Sequence, residues 1–374
     1  MEIYRAYKTE LDLTKAQITA CSRNAGAARF AYNWGLSRKM EAYRLGQKTP
    51  TAIDLHKELI ALKKTQFNWM YEVSKCAPQE ALRDLDNAFR RFFQRVKQKR
   101  AGKNIKVGFP QFKTKNRSPA RFRLTGKIHV FEKRIQLPRL GLLRMKEHGY
   151  LPTHNIHILS ATISEKADRW YVSLKVKMEI PDPENSNKPV AGVDLGIHRM
   201  AQVSDGLYFE NPHSLGQALR KIKHLQRTVS RRKKGSANRQ KAVRKLAKAH
   251  AHVANIRKAS IHQATTWLAK SKSIIMVEKL NVMGLMKNHR LAQAISDVSW
   301  HEFQRQLTYK GIWYGCDVRM ADPYFPSTKR CSRCGQVKVS ISLGERIYHC
   351  DICGFEIDRD LNAAINLEQL IYMA

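Results

Sequence analysis

The clearest pattern along the chain is RWYVSLKVKM, in which Trp170, Val172, Leu174, Val176 and Met178 alternate with Tyr171, Ser173, Lys175 and Lys177. A period of two predicts a strand with one face on a core and the other toward solvent. Short runs broken by glycine and proline, such as KIHVFEK and RIQLPRLGLLRM, read as further strands, and so does EIYRAYKTEL at the start. Between these blocks the period becomes helical. Thr14 and Gln17 form a capping-box pair, after which Ile18, Cys21, Ala25, Ala28 and Tyr32 recur on one face. A short amphipathic stretch covers residues 54–64. APQEALRDLDNAFRRFFQRVKQKR follows, with Pro78 suited to a first turn and Leu82, Leu85, Phe89, Phe92 and Val96 along one side. The pattern predicts a small antiparallel barrel or sandwich over residues 1–13 and 105–180, interrupted by a basic helical bundle over residues 14–104.

PDPENSNKP, residues 181–189, is a linker by composition. Beyond it, VAGVDLGIHRMAQVSDGLYFE predicts three short strands with tight turns. Leu215, Leu219, Ile222, Leu225 and Val229 form one helical stripe, and Val243, Leu246, Val253 and Ile256 another. RRKKGSANR is the turn between them. SIIMVEKL is a buried strand ending near Glu278, WHEFQRQLTYKGIWYG a helix, CDVRMADP a strand, and the chain closes on one more helix. A strand ending in Asp194, a meander, helices, a strand ending in Glu278, then helix, strand and an acid-headed helix is the layout of an RNase H-like sheet.

Composition narrows the class. A chain of 374 residues is too long for one compact core, and its 43% hydrophobic content excludes a disordered tail protein. Lysine and arginine number 68 against 31 acidic residues, a formal charge of +37. Self-repulsion of that size calls for a polyanion, so nucleic acid is the expected partner and a membrane surface the weaker alternative. Residues 214–272 alone hold 17 Lys/Arg and no acid. The N-terminus lacks the apolar core of a signal peptide, and no stretch is apolar enough to span a membrane. Seven cysteines, an odd number, fit a reducing cytoplasm.

Four of those cysteines carry chemistry. Cys331, Cys334, Cys350 and Cys353 form two C-x2-C pairs, the spacing of a tetrahedral structural zinc site; a disulfide pair is the alternative. Gly335 and Gly354 follow each pair and permit the tight knuckle turn. The acids are ambiguous one by one. Asp194 could be a turn former, Glu278 a solvated strand end, Asp358 an N-cap and Asp360 a first-turn acid facing the helix dipole. Taken together in an RNase H-like order, three carboxylates in so basic a chain would hold two Mg²⁺ ions, or Mn²⁺ in substitution. One ion would activate water and the other stabilise the leaving oxygen of a phosphodiester.

GVDLGI around Asp194, VEKLNV around Glu278 and CSRCG…CDICGFEIDRDLNAAINL resemble the TnpB (OrfB) family of insertion-sequence nucleases, compact relatives of the type V CRISPR effectors. LTKAQ…RFAYNWGL and ALRDLDNAFRRFFQR…GFPQFK extend the likeness over nearly the whole chain. The resemblance implies a multidomain α+β protein: an N-terminal β-barrel wedge (1–13 and 105–180) with an inserted helical recognition lobe (14–104), then a RuvC-type nuclease domain (190–326 and 357–374) with a zinc ribbon (327–356) inserted. It implies RNA-guided cleavage of DNA, with a guide RNA from the transposon end and both double- and single-stranded target DNA as partners, in a bacterial or archaeal cytoplasm near the nucleoid. The family motif D-x-N-A-A-x-N falls on Asp360, Asn362, Ala363, Ala364 and Asn366, which makes Asp360 the metal ligand and Asp358 the cap. One departure is local: NIRKASIHQA keeps Arg257 and His262 but has Lys258 and Gln263 where relatives carry other residues. A ribbon fixed just before the last helix would guide a strand toward Asp194, Glu278 and Asp360. Arg330 and Arg333 beside the first knuckle, and Arg231, Arg232, Lys233 and Lys234 in the basic turn, are the expected phosphate contacts; ordinary surface charge is the alternative. A strand-joining transposase, or a guided repressor without cleavage, is the competing function.

Overall fold

The structure, a computed structural model, describes residues 1–115, 118–154, 156–183, 187–342 and 344–373. Part of the expected linker, residues 184–186, therefore lies outside the described residues. The chain forms two compact units, Met1–Ile180 and Pro181–Ala374.

In the first unit, strand β1 (Glu2–Asp12) leads into helices α1 (Lys15–Arg44), α2 (Ala52–Lys63) and, after a 3₁₀ turn, α3 (Cys76–Arg100). Six strands follow: β2 (Arg121–Leu124), β3 (His129–Val130), β4 (Arg134–Leu137), β5 (Gly141–Met145), β6 (His157–Lys166) and β7 (Arg169–Glu179). They build one antiparallel sheet in the order β2-β6-β7-β1-β5-β4-β3. β1 pairs with β7 along nearly its full length, from Glu2 opposite Glu179 to Leu11 opposite Trp170. The alternation in β7 is the one the sequence carries: Trp170, Val172, Leu174 and Val176 are buried. Helices and sheet share one core, in which Leu36, Leu55, Leu82 and Leu85 meet Phe122, Ile135, Leu143 and Val172. α1 begins with the reciprocal Thr14–Gln17 box, but Ile18 stays exposed and leaves its stripe. Farther along α3, Phe89 and Phe92 are only half-buried, and the ring of Phe109 packs edge-on to both at 5.5 and 5.4 Å.

The second unit opens with β8 (Ala191–Asp194), β9 (Arg199–Val203) and β10 (Tyr208–Glu210), followed by the helical hairpin α4 (Ser214–Arg231) and α5 (Ala237–Ser271). Next come β11 (Ile274–Glu278), the short α6 (Val282–Leu285) and α7 (Ala292–Val298), α8 (Trp300–Tyr314) and β12 (Asp317–Ala321). A small hairpin of β13 (Ile347–His349) and β14 (Glu356–Asp358) precedes the last helix, α9 (Arg359–Met373). The five-stranded sheet runs β10-β9-β8-β11-β12, antiparallel in its first three strands and parallel from β8 to β12. One face is covered by Ile261 and Leu268 of α5 and Phe303 and Leu307 of α8, the other by Leu367 and Ile371 of α9. No helix among the described residues is long and apolar enough to cross a membrane.

α9 lies almost in backbone contact with β8. A Cβ placed on Gly192 would sit 1.9 Å from the Ala364 carbonyl oxygen and 2.4 Å from the Glu368 nitrogen. Neither backbone atom can swing aside, so Gly192→Ala should cost about 3 kcal/mol or more. The unfolding midpoint should then fall by on the order of 10 °C, as read by calorimetry. A midpoint within a degree of the parent would mean that α9 is free to lift from the sheet.

Candidate functional site

β8 and β11 are parallel neighbours with Val193 opposite Val277, so Asp194 and Glu278 emerge side by side where the strands end. The two-residue period then decides which face they use. Ala191, Val193, Ile275 and Val277 point into the core under α5 and α8, which leaves Gly192, Asp194, Met276 and Glu278 on the α9 face. α9 brings Asp360 to that face in its first turn. Asp194 is half-buried by accessible surface yet closely surrounded by protein. That burial, then the charges of Glu278 and Asp360, push its carboxyl well above the usual range, against the pull of Arg359 and the Leu195 N–H. Burial likewise raises Glu278, while the hydroxyl of Ser327, donating to its Oε1, pulls the other way. Repulsion of this kind marks an unmet demand for positive charge among the three acids. Nearby cations answer it in part: Arg359 approaches the Asp360 carboxylate at 3.3 Å.

Asp358 does something else. Its Oδ1 accepts from the backbone N–H groups of Asp360 and Leu361, both at 3.0 Å, so it caps α9. Its Oδ2 pairs with Arg199 at 3.2 Å, whose guanidinium lies 4.4 Å from the Tyr208 ring.

The four cysteines are brought together. Their sulfurs lie within 4.8 Å of one another, the one such set of metal-ligating atoms among the described residues. Cys331 and Cys353 are 3.8 Å apart, and Cys334 and Cys350 3.6 Å. A tetrahedron with metal–sulfur bonds of about 2.3 Å has edges of roughly 3.8 Å, so the sulfurs fit a single zinc ion. The two knuckles repeat one turn. Gly335 at φ 80° donates to the Cys331 carbonyl, and Gly354 at φ 66° to that of Cys350. Backbone N–H groups of Cys353 and Ile352 draw the Cys350 thiol down to about 6. Cys334, against the pull of the Gln336 backbone, is held up to about 12 by burial and the three neighbouring sulfurs, so the metal-free cluster shares its protons unevenly.

The D-x-N-A-A-x-N stretch of α9 explains itself in this packing. Ala363 and Ala364 are fully buried, with the Ala364 carbonyl pressed against Gly192. Asn362 and Asn366, four residues apart on one face and fully buried, both donate to the Arg330 carbonyl, at 2.7 and 2.6 Å. Asn366 also donates to the Ser327 carbonyl, Asn362 accepts from the Ser332 N–H, and Gln369 donates to the Ser332 carbonyl. The first knuckle is thus bolted to the helix that carries Asp360. Sequence reading found the two asparagines as motif letters and missed what they hold; the i, i+4 spacing of two amides was the available signal. Ser327 gave none.

Of the expected phosphate contacts, Arg231, Arg232, Lys233 and Lys234 stand exposed at the hairpin turn. Arg333 is exposed, 5.9 Å from the Phe355 ring. Arg330 is half-buried against Gly335 and holds α9 through its carbonyl, a structural use beside any contact with phosphate. Arg257 bonds Asp297 at 2.6 Å, and Asp297 also accepts from Ser214 and Leu215, which joins α4, α5 and α7. His262 is pushed down to about 4 by burial and by Lys310 and Lys258. Burial in turn brings Lys310 down to about 8, and its ammonium donates to Thr265, Thr266, Gln306 and the His262 carbonyl. This region is packing machinery.

Residues 300–367 match the family described as "Cas12f1-like, TNB domain", residues 173–289 the one described as "Probable transposase", and residues 1–48 a "Helix-turn-helix domain". A protein of Streptomyces pristinaespiralis, named as a candidate RNA-guided DNA endonuclease, is 32% identical over 98% of this chain and 89% of its own length. InsQ of Escherichia coli, named in the same way, is 29% identical over 98% of this chain and 92% of its own. Among solved structures, a mini RNA-guided CRISPR endonuclease aligns with 99% of this chain and 92% of its own at 9% identity and a TM-score of 0.47.

Proposed function

The chain belongs to the OrfB (TnpB) family of RNA-guided DNA endonucleases, and from that premise we propose that it cuts guide-selected DNA at Asp194, Glu278 and Asp360. The observation that carries this reading is the meeting of two strand ends and one helix start, with Asp194 held well above its ordinary range by burial and then by its two acidic neighbours. An acid cluster that repels itself in so basic a chain suits divalent cations, and its three carboxylates would hold Mg²⁺ in a RuvC-type arrangement. When bound, the metal would supply an activated water and a partner for the leaving oxygen in hydrolysis of a phosphodiester bond. The chain's own part is to fix those ligands: β8 and β11 set Asp194 and Glu278 in register, Asp358 caps the helix that presents Asp360, and Ser327 grips Glu278.

In the same proposal the first unit is a wedge-like β-domain with its helical lobe, and the second a nuclease domain interrupted by a ribbon that zinc closes through Cys331, Cys334, Cys350 and Cys353. The exposed cations Arg231, Arg232, Lys233, Lys234 and Arg333 would meet phosphates of a guide RNA from the transposon end and of target DNA. The site of action would be the cytoplasm, at the nucleoid. A repressor that only binds would be expected to lack an acid, and all three are present.

The test begins with sequencing the RNA that copurifies with the protein. A plasmid matching that guide should be cut in Mg²⁺ and left intact in EDTA or by Asp194→Ala. Cleavage that proceeds equally well after RNase treatment, with no defined RNA bound, would instead support a transposase acting directly on DNA.

A further inference from the structure

We propose that Ser327 is a positioning residue for the reaction, holding the Glu278 carboxylate in its working orientation through a brace that α9 itself supplies. The inference rests on Glu278 being a metal ligand, as proposed above, and goes beyond it.

Ser327 is 3% exposed and lies in the loop between β12 and the first cysteine knuckle. Its hydroxyl has one proton to give, and gives it to Oε1 of Glu278. The backbone around the hydroxyl is fixed on both sides, and its partner on α9 is itself anchored. Its N–H donates to the Phe325 carbonyl at 2.9 Å, its own carbonyl accepts from the Asn366 amide at 2.9 Å, and that amide also takes the Arg330 carbonyl at 2.6 Å. Asn366 is fully buried on α9, six residues after Asp360. A single rigid connection therefore runs from the helix bearing Asp360, through Asn366 and Ser327, to the carboxylate at the end of β11. The backbone end of β11 is held as well, because Gln304 of α8 donates to the Glu278 carbonyl at 2.8 Å.

A glutamate has three side-chain torsions, so a strand end alone does not aim its oxygens. Fixing one oxygen by a buried donor selects the rotamer and presents the other oxygen to the shared site. It also sets the distance between ligands on different elements, which the backbone register of β8 and β11 leaves open for α9. Partners of this kind around a metal-binding carboxylate typically change metal affinity or activity by about 10–100-fold when removed.

The experiment compares the guide-loaded wild type with Ser327→Ala, Ser327→Thr and Glu278→Gln. Cleavage is measured across Mg²⁺ concentrations, Mn²⁺ binding by electron paramagnetic resonance, and zinc content and unfolding midpoint serve as controls. Ser327→Ala should keep its zinc and fold, raise the half-saturating Mg²⁺ concentration by about 10-fold or more, and bind Mn²⁺ correspondingly more weakly. Ser327→Thr, which restores a hydroxyl, should recover most of the affinity. Wild-type metal dependence in Ser327→Ala beside a dead Glu278→Gln would overturn the role of Ser327 and spare that of Glu278. An active Glu278→Gln would remove the premise itself. A drop in unfolding midpoint with unchanged Mn²⁺ affinity would reduce Ser327 to a packing residue.

Discussion

Asp360→Asn is expected to abolish plasmid cleavage under conditions in which Asp358→Asn remains active. The two aspartates are two residues apart, Asp358 at the end of β14 just before α9 and Asp360 in the first turn, and position alone cannot separate their roles. Their contacts can. Asp358 spends one oxygen on the N–H groups of Asp360 and Leu361 and the other on Arg199. Asparagine caps a helix about as well as aspartate, and even complete loss of a cap costs only about 0.5–2 kcal/mol. Asp358→Asn should therefore lose the ion pair, keep the helix start and keep cutting. Asp360 instead lends its charge to the site, where it is one of the causes that hold the Asp194 carboxyl high. Asparagine retains its shape and removes the charge that would attract Mg²⁺. The stability readout has the opposite sign. A carboxyl whose folded value is raised binds its proton more tightly in the folded state, so it costs stability as pH climbs above the ordinary carboxylate range. Relieving Asp194 of one repulsive neighbour should leave the metal-free Asp360→Asn protein at least as stable as the wild type at neutral pH. Dead, guide-bound and no less stable is the expected set, measured by plasmid cleavage, guide-dependent DNA retention and calorimetry in EDTA. An active Asp360→Asn beside a dead Asp358→Asn would move the catalytic role two residues back.

Much of this arrangement could be read from residues alone because strong periods leave little choice. The alternation in β7 admits one burial pattern, and the structure has it. The placement of Asp194 and Glu278 at neighbouring strand ends was legible because short apolar strands ending in them frame an order of elements that few sheets share. Weaker periods gave less. The short helices α6 and α7 fill a stretch with no sequence expectation, since four and seven residues are too few to display a helical stripe. Ile18 sits on the right face of α1 but beyond the reach of the core, because a stripe records direction and not how far the neighbouring layer extends. Ser327 and the amides of Asn362 and Asn366 act through contacts 30 to 49 residues away in the chain. The i, i+4 spacing marks the two amides as a pair, but no local pattern names their partners, which appear only when the loop, the strand and the helix are seen together.

Loss of the zinc proposed for the four cysteines should be felt at the acids as well as in the proposed ribbon. Cys350→Ser removes one of four sulfurs that lie within a single ion's reach. Structural zinc in small ribbons contributes an apparent binding energy of about 10–16 kcal/mol, as large as the whole stability of an ordinary domain, about 5–15 kcal/mol. The local core is small: Cys331, Tyr348 and Cys350, with a few half-buried neighbours such as Phe355 and Ile357. It cannot replace that contribution, so the ribbon should unfold and zinc content fall from one ion per chain toward zero. The consequence for catalysis depends on what the ribbon does. As a strand guide alone, its loss would slow cleavage and leave metal binding at the acids untouched. The hydrogen bonds predict more, because Asn362, Asn366 and Gln369 anchor α9 to Arg330, Ser327 and Ser332, which flank the first knuckle. Once Cys331 is free to move, those carbonyls leave the asparagines, and two buried amides lose their partners at about 1–3 kcal/mol each. Cys350→Ser should then reduce cleavage by more than about 100-fold, beyond the usual range for a supporting residue, and weaken Mn²⁺ binding at the acid site in parallel. The first unit, with its own core, should keep its unfolding transition. Zinc analysis, Mn²⁺ resonance and single-turnover cleavage on one preparation separate the cases. Zinc-free protein that binds Mn²⁺ like the wild type would show that α9 stands without the ribbon and that the cysteines serve the strand alone.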